Sequence, residues 1–449
     1  MADAAHRILE LAEHATSTAF PLRVRAWDGS EAGPSGAPVL VFMRRKALRR
    51  LLWRPGELGL ARAWVAGDLD IEGDLYQALD LLAGLLWERP ETASAPGPAR
   101  ATAEAARRAA TALRDPATYR LARSALSLSG PGLPPAPPPE EVRRRTGIAH
   151  TKRRDKAAIS HHYDVGNDFY ELVLGPTMVY SCAVWAPESA EAGPAGLGDA
   201  QRAKLDLVCR KLDLRPGMRL LDVGCGWGSM VLHAAEHYGV RATGITLSTE
   251  QAAYARKRIA DAGLTGQIEI RVQDYRDVRD GPYDAISSIG MAEHVGSERY
   301  LEYARTLHGL VRPGGRLLNH QIARRPLRDE EGYHVDEFID RYVFPDGELS
   351  PVGTTVARLE EAGFEVRDVE ALREHYARTL RAWVANLEAG WPAAVAATSA
   401  GRARVWRLYM AASAVSFQRN RIGVNQVLAV RTPDDGDSGM PATRTAWLS

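Results

Sequence analysis

The chain has 449 residues, of which 45% are hydrophobic and 25% charged, a balance typical of a globular protein, and its length predicts two or three domains. Its formal net charge of +1 argues against a nucleic-acid partner held by bulk charge, so any anionic partner would need a local patch. No apolar run approaches the ~20 residues that a bilayer-spanning helix requires, and the N-terminus is too acidic and amphipathic for a signal peptide. We therefore expect a cytoplasmic protein that meets a membrane only from its surface.

Residues 1–90 are predicted to form a small α/β domain. The stretch "AAHRILELAEHA" has helical apolar spacing, "LRVRAW" and "PVLVFM" are β-like, and "LYQALDLLAGLLWE" is an amphipathic helix pattern. Residues 91–142 are rich in Ala, Arg and Pro, which predicts a linker with helical pieces. The third region, 143–449, is predicted to be one catalytic domain.

The third region opens with a basic run, "RRRTGIAHTKRRDK" at 143–156, which contains seven Arg or Lys residues and one Asp. Such a run is either a solvated linker end or a segment that binds anionic lipid headgroups, where each basic residue contributes ~1 kcal/mol to the free energy of binding. Composition alone favours neither interpretation.

From about residue 201 the pattern alternates between strands and helices, which predicts a parallel α/β sheet. The predicted strands are "MRLLDVG", "VRATGIT", "IEIRVQ", "YDAISSIG" and "GGRLLNHQI". Helical patterns such as "STEQAAYARKRIADAG" lie between them. The carboxyl ends of such strands, where ligands bind in doubly wound folds, are the places to look for function.

The most informative stretch is "LLDVGCGWGS", in which an apolar strand reaches Asp222 and then a loop with Gly224, Gly226 and Gly228. Glycines allow a tight turn and a close approach of backbone to ligand. The spacing differs from the dinucleotide fingerprint, which argues against NAD. An acidic residue entering this loop suits S-adenosylmethionine, whose methionine part carries an ammonium group.

The next two strands also end in polar side chains. Thr246, Ser248 and Gln251 follow the second strand, and Gln273 and Asp274 follow the third, where they could bind ribose and adenine. Ser248 followed by Gln251 is equally a helix start signal. We expect both interpretations to hold in part.

A second set of polar residues follows the fourth and fifth strands. Glu293 and His294 are expected beyond the fourth strand, and His320 and Gln321 beyond the fifth. His294 by itself is expected to be structural. Glu293 and His320, with Cys182, could form a Cys–His–Glu nucleophile set, or a metal site, although no clustered ligand spacing supports a metal. Three cysteines without CxxC spacing fit a reducing compartment, and a lone Cys is often just a small buried hydrophobe.

Six motifs, found in order over residues 150–430, together resemble the cyclopropane fatty acid synthase family, which includes the mycolic acid methyltransferases. They are "HHYDVGNDFYELVLGPTMVYSCAVW", "LLDVGCGWGS", "GITLSTEQ", "IGMAEHVG", "LLNHQI" and "HYARTLRAW". The resemblance implies a Rossmann-like class I methyltransferase domain with a doubly wound, mostly parallel sheet. Residues 1–90 resemble the smaller N-terminal α/β domain of the longer, phospholipid-acting members.

The resemblance implies methyl transfer from S-adenosylmethionine to a cis double bond in a phospholipid acyl chain. With the polar residues at the strand ends included, the expected cofactor contacts are Tyr180, Ser181, Asp222, Gly224, Gly226, Gly228, Thr246, Ser248, Gln251, Gln273 and Asp274. The family also holds a bicarbonate ion, and its matching positions are Cys182, Glu293, His320, Ile322 (through its backbone) and Tyr376. By this resemblance Cys182 is a bicarbonate contact and not a nucleophile.

The implied chemistry passes through a carbocation, which a dry pocket with aromatic faces tolerates best. Candidate lining residues are Tyr163, Phe169, Tyr170, Trp383 and Trp391. Loss of a proton from the added methyl group gives a cyclopropane, whereas loss from a neighbouring chain carbon gives a methylene branch. Both products remain open, as does a homodimer, and we expect peripheral contact with the anionic inner face of the membrane.

Overall fold

The computed structural model describes residues 3–87, 116–130, 132–142, 151, 152, 154, 155, 165–186, 194–327, 333 and 335–445. The described chain divides into two compact units. The first takes in residues from 1–143, 327–343 and 400–415, and the second takes in residues from 144–326, 344–399 and 416–449. Two segments from the second half of the chain therefore belong to the first unit.

The first unit contains a four-stranded sheet of order β2-β1-β3-β4. Its strands are β1 (Arg23–Arg25), β2 (Glu31–Ala32), β3 (Val39–Phe42) and β4 (Leu69–Glu72). Its helices before residue 143 are α1 (Ala4–Thr16), α2 (Arg45–Trp53), α3 (Glu57–Val65), α4 (Leu75–Trp87) and α5 (Pro116–Ser129). The predicted helices α1 and α4 and strands β1 and β3 are confirmed, whereas α2 and α3 were not predicted because charged and glycine residues interrupt their apolar pattern.

Long-range hydrogen bonds explain why later segments join the first unit. Trp64 Nε1 donates to the Arg404 carbonyl at 2.8 Å, and the Arg404 guanidinium donates to the Trp64 carbonyl at 2.6 Å. Arg62 makes two 2.6 Å bonds to Glu141, whose carboxylate also accepts from the Tyr342 hydroxyl at 2.9 Å. Burial raises the pKa of Glu141, but these bonds outweigh burial and hold it below its ordinary value.

The second unit contains the large sheet, of order β11-β12-β9-β8-β5-β6-β7, with β10 added beside the end of β9. Its strands are β5 (Arg219–Val223), β6 (Arg241–Thr246), β7 (Ile268–Val272), β8 (Tyr283–Ile289), β9 (Val311–Arg324), β10 (Ser350–Pro351), β11 (Glu365–Ala371) and β12 (Ile422–Val430). All neighbours are parallel except β12, which is antiparallel to both β9 and β11. The predicted mostly parallel sheet is confirmed.

Helices lie along both faces of this sheet. They are α6 (Asn167–Leu174), α7 (Pro194–Lys211), α8 (Ser229–Tyr238), α9 (Thr249–Asp261), α10 (Tyr300–Leu310), α11 (Val352–Glu361), α12 (Arg373–Ala389) and α13 (Trp391–Ala397), and α14 (Ala400–Gln418) follows them in the chain. Successive strand residues enter opposite cores: Leu220 packs into one, while Leu221 and Ile286 pack into the other. Because both faces are covered at the centre of the sheet, β5 and β8 are buried along nearly their whole length, whereas β7 and β11 at the edges alternate or are partly exposed.

The strand order reverses at β5, which has β6 on one side and β8 on the other. A crevice at the carboxyl ends of these strands is the expected ligand site of a doubly wound sheet. One expectation needs correction: His320 and Gln321 lie within β9 and not beyond it. Pairing of β9 with β12 continues to Arg324, which extends the strand past both residues.

Candidate active site

The glycine loop adopts a conformation that other residues would strain. Gly224, Gly226 and Gly228 have φ angles of +83°, +52° and +82°, in the left-handed region that favours glycine. A Cβ atom on Gly224 would lie 2.9 Å from Cγ of Met291, and one on Gly228 would lie 3.0 Å from Cβ of Ala255. The loop therefore turns tightly and packs closely, as expected for a ligand cradle.

An open cleft lies at the carboxyl ends of β5, β6, β7 and β8, with a volume of about 740 Å³ that includes solvent at its mouth. Six of the predicted cofactor residues line it: Gly224, Gly226, Thr246, Gln251, Gln273 and Asp274. Gly228 and Ser248 do not line the cleft, but they begin the two helices that follow its loops. Arg276 and His294, which also line it, were not predicted as cofactor contacts.

The second strand ends in a small hydrogen-bonded network. The Thr246 hydroxyl donates to Gln251 Oε1 at 2.9 Å, and the backbone N–H of Gln251 donates to Ser248 Oγ at 3.2 Å. Ser248 therefore caps α9, as the start-signal interpretation predicted. The same network holds the Thr246 and Gln251 side chains at the wall of the cleft.

Asp274 is held by an arginine that the sequence motifs did not single out. The Arg276 guanidinium donates to both carboxylate oxygens of Asp274, at 2.8 and 2.7 Å, and also to Asp155 at 2.8 Å. Burial raises the pKa of Asp274, but the bonds from Arg276 outweigh it and the net pKa is lowered. The Gln273 side-chain amide donates a hydrogen bond to the Asp277 carbonyl at 2.9 Å. The only indication of this ion pair in the sequence is that Arg276 lies two residues after Asp274.

Asp222, at the end of β5, is buried and accepts a hydrogen bond from the Ser287 hydroxyl at 2.7 Å. Burial raises its pKa to about 6, against the opposing effects of Ser287 and of the Lys204 charge. Lys204 in α7 is equally buried and donates to Ser181 Oγ at 3.0 Å. The sequence offered no signal for Lys204, because a lysine inside a helix is usually solvated.

Cys182 is fully buried, and its thiol lies 3.2 Å from the Ala183 carbonyl and 3.6 Å from that of Leu372. Burial raises its pKa well above the ordinary value, although the charge of Lys204 opposes the shift. The thiol therefore stays protonated at neutral pH. This argues against the nucleophile interpretation, because the thiolate is the nucleophilic form.

We expect native protein to resist thiol alkylation. All three cysteines, Cys182, Cys209 and Cys225, are free and buried, and burial raises the pKa of each. Incubation with iodoacetamide at pH 7.5, followed by intact-mass spectrometry, should show no adduct, while denatured protein should gain three. Rapid labelling of Cys182 in the native state would contradict this.

Glu293 and His320 place unpaired polar atoms in the interior. Glu293 Oε1 accepts the backbone N–H of Ile322 at 2.8 Å, while its buried Oε2 has no partner among the described residues. Burial raises the pKa of Glu293 to about 7, against the bond from Ile322. Both ring nitrogens of buried His320 also lack partners in the described chain, and burial lowers the pKa of its ring, which keeps it neutral.

Gln426 is a further buried polar residue that no sequence motif indicated. It lies opposite His320 in the antiparallel pair of β12 and β9, so the two side chains point to the same face. Neither amide atom of Gln426 has a partner within the described part of the chain. Unpaired buried polar groups cost ~1–3 kcal/mol each, so this cluster is suited to a small polar ligand.

An aromatic cluster contains Tyr376, the remaining predicted catalytic residue. The Trp383 ring lies 5.3 Å from Tyr180 and 6.0 Å from Tyr376 between centroids. Of the predicted lining residues, Phe169, Tyr170 and Trp383 are buried, Trp391 is partly exposed, and Tyr163 lies outside the described residues.

The reversed strand order, the glycine loop at that reversal and the polar cleft beyond it define a class I S-adenosylmethionine-dependent methyltransferase. The family model for mycolic acid cyclopropane synthetase matches residues 150–427. The chain belongs to this family, as the sequence motifs predicted.

Three relatives illustrate the membership. A Mycobacterium tuberculosis protein described as "Probable fatty acid methyltransferase" is 43% identical over 444 residues, 96% of each chain. The cyclopropane-fatty-acyl-phospholipid synthase of Escherichia coli is 36% identical over 286 residues, 64% of this chain and 71% of that one. The crystal structure of the mycolic acid cyclopropane synthase CmaA1 with SAH and CTAB superimposes with a TM-score of 0.57 and 34% identity, covering 61% of this chain and 98% of that one.

These findings confirm an S-adenosylmethionine-dependent methyltransferase of lipid acyl chains. Of the helices that the structure describes, none has the length and apolar character needed to cross a bilayer. A search of the same residues finds no group of three or more His, Cys, Asp or Glu side chains placed to hold a metal ion.

Proposed function

We propose that this enzyme transfers a methylene unit from S-adenosylmethionine to the cis double bond of an unsaturated phospholipid acyl chain and forms a cyclopropane. The observation that carries the proposal is the set of three buried polar atoms, Glu293 Oε2 and both ring nitrogens of His320, that lack partners in the described chain. Glu293 lies in the turn after β8 and His320 lies in the neighbouring strand β9, next to the strands whose ends form the cofactor cleft.

The residues of the cleft would hold the methyl donor and aim it. Asp222, Thr246, Gln251 and Asp274 offer oxygen acceptors for the ammonium, hydroxyl and amino groups of S-adenosylmethionine, while the loop at Gly224 allows close backbone approach. An alkene is a weak nucleophile, so alignment of its π bond with the methyl sulfonium supplies much of the rate.

The unpaired polar atoms fit a bicarbonate ion. Glu293, His320, Cys182, the Tyr376 hydroxyl and the backbone of Ile322, whose N–H also donates to Glu293 Oε1, would hold it, since together they supply both donors and acceptors. Bicarbonate bound there would supply a base for the proton that the methylated chain loses. Because burial keeps Cys182 protonated, no thiolate competes as a nucleophile.

The aromatic cluster of Tyr180, Trp383 and Tyr376 would face the positive charge that methyl attack creates on the chain. Aromatic faces stabilise cations by ~0.5–2 kcal/mol each in a desolvated site. Exclusion of water by these rings would also protect the carbocation from hydration.

The test is incubation of purified protein with S-adenosylmethionine and vesicles of phospholipid with cis-monounsaturated chains, followed by mass spectrometry that locates double bonds. A gain of CH₂ without a remaining double bond supports cyclopropane formation. No gain would refute an acyl-chain substrate in phospholipid.

A methylene-branched acyl chain, precursor of a methyl-branched acid, is a second candidate product. One observation favours it: the relative that aligns over 96% of this chain is described as a fatty acid methyltransferase, while the two cyclopropane synthases align over 64% and 61%. In the same assay this product would gain CH₂ and retain an exocyclic double bond.

We also propose that the first unit contacts anionic membrane. Met43 and Trp53 are 54% and 58% exposed at the two ends of α2, beside exposed Arg44, Arg45 and Lys46. Exposed apolar side chains flanked by basic ones suit the interface of an anionic bilayer.

The basic run 143–156 lies mostly outside the described residues. Of its described members, Lys152 and Arg154 pair with Asp277 and Asp346, both at 2.6 Å. These two residues therefore have carboxylate partners within the protein, and the exposed residues around α2 carry the stronger argument for membrane contact.

Replacement of both Met43 and Trp53 by serine is expected to weaken binding to phosphatidylglycerol vesicles by about tenfold, since it removes apolar area that the membrane would bury. Vesicle sedimentation measures the bound fraction. Val369→Ser, at a residue 37% exposed in the second unit, is the control. Unchanged sedimentation of the double variant would exclude α2 as the contact.

A further inference from the structure

Two buried lysines lie seven residues apart in α7, and among the described residues only one of them has a salt-bridge partner. Lys211 Nζ lies 2.5 Å from Glu370 and 3.5 Å from Asp368. Lys204 is 1% exposed and has one hydrogen bond, to Ser181 Oγ at 3.0 Å. The described residues provide no carboxylate within salt-bridge distance of Lys204.

A buried ammonium group with one neutral partner is unfavourable. It has three N–H donors, and removal of a charge from water costs several kcal/mol unless an opposite charge compensates. Asp222 is near enough to raise the pKa of Lys204, but burial dominates and lowers that pKa to about 8. Asp222 accepts a hydrogen bond from Ser287, and among the described residues no salt bridge joins it to Lys204.

Lys204 lies where the two parts of the site meet. Its partner Ser181 is adjacent to Cys182 in the chain, and its charge contributes to lowering the pKa of His320 and opposes the rise at Cys182. The ammonium is therefore close to both the expected cofactor contact and the cluster with unpaired polar atoms.

We propose that the Lys204 ammonium, together with the Ser181 hydroxyl, binds a carboxylate-type oxyanion in the active site. This inference rests on the proposed function for the identity of the anion. Two sources have the required chemistry, the carboxylate of S-adenosylmethionine and free bicarbonate. The anion would occupy the donors that Lys204 leaves open and would compensate its charge.

The experiment compares Lys204→Met with wild type in two assays. Calorimetry measures the affinity for S-adenosylhomocysteine and for 5′-methylthioadenosine, which lacks the carboxylate. Kinetics measures the bicarbonate concentration that gives half-maximal rate. Lys211→Met is the matched control: the Lys211 charge also lowers the pKa of His320, but Glu370 and Asp368 already pair with its ammonium, so its removal should lower stability without changing either measurement.

Loss of a buried charge partner weakens binding by about 30-fold or more. If S-adenosylhomocysteine alone weakens by this factor, the anion is the cofactor carboxylate. If the bicarbonate requirement alone rises by it, the anion is bicarbonate. Affinities and bicarbonate requirement within about threefold of wild type in a folded variant, or equal weakening of both nucleosides, would overturn the proposal.

If Lys204→Met does not fold, Ser181→Ala is a second variant, because it removes only a hydroxyl group. It should weaken the binding of the same anion, either S-adenosylhomocysteine or bicarbonate. If the wild-type rate does not respond to bicarbonate, the bicarbonate part of the proposed function fails. The S-adenosylhomocysteine comparison then still decides whether Lys204 binds an oxyanion.

Discussion

Replacement of Glu293 by glutamine is expected to lower kcat by about 10²- to 10⁴-fold, the range that general-base assistance contributes. Glu293 holds the Ile322 N–H with one oxygen and turns a buried, unpaired oxygen toward the interior. Glutamine keeps the size and one acceptor, but it replaces the second oxygen with a donor and removes the negative charge. The cofactor cleft is not lined by Glu293, so the affinity for S-adenosylhomocysteine should not change.

The measurement is the rate of CH₂ incorporation into vesicle phospholipid, with calorimetry of S-adenosylhomocysteine binding on the same sample. Glu298→Gln is the matched control, because Glu298 lies five residues on and is exposed. Equal rates for Glu293→Gln and wild type would remove Glu293 from the catalytic set.

The pH dependence of the rate provides a separate check. The pKa of Glu293 is raised to about 7, so the carboxylate is protonated below that pH and ionised above it. If the ionised form is active, the rate should rise through about pH 7.

The raised pKa of Glu293 also affects the stability of the fold. Its stabilising contribution is fully present below the ordinary pKa of 4.5 and is lost as the pH rises through about 7. Glu293→Gln should therefore flatten the fall in stability between about pH 4.5 and pH 7, which thermal unfolding measures.

Replacement of Gly224 by alanine is expected to weaken binding of S-adenosylhomocysteine by about 100-fold, because two costs coincide. A non-glycine residue in the left-handed region costs ~1–2 kcal/mol. The added Cβ would also lie 2.9 Å from Met291 Cγ, and both residues line the cleft. Relief of the backbone strain or of the overlap with Met291 would shift the loop backbone that is expected to contact the cofactor.

Calorimetry measures this effect, and Gly263→Ala separates strain from ligand contact. Gly263 has a similar φ of +70°, nothing lies within 4 Å of the place that a Cβ atom would take there, and it does not line the cleft. That control should lose stability and keep its affinity. If Gly224→Ala binds S-adenosylhomocysteine as tightly as wild type, the loop is not the cofactor cradle.

The local chemistry of the site could be predicted from the sequence because it depends on short segments. Apolar strands, the glycines after Asp222 and the cap at Ser248 each result from residues within about ten positions of one another. The family motifs carried the same information, and the expected sheet, the family and the enzyme class are confirmed. His320 lies inside β9 and not beyond it, because pairing with β12 makes the strand longer than predicted.

Contacts between distant segments were decided by the tertiary structure. The position of Gln426 opposite His320 depends on antiparallel pairing of strands about 100 residues apart. The membership of residues 400–415 in the first unit depends on the bonds between Arg404 and Trp64. The sequence by itself determined which residues could do methyl-transfer chemistry, since side-chain type and local backbone preference are encoded position by position. Only the tertiary structure decided that Lys204 lies buried beside Ser181 and that Glu293 keeps one oxygen without a partner among the described residues. Burial and pairing of this kind arise from the packing of helices against the whole sheet.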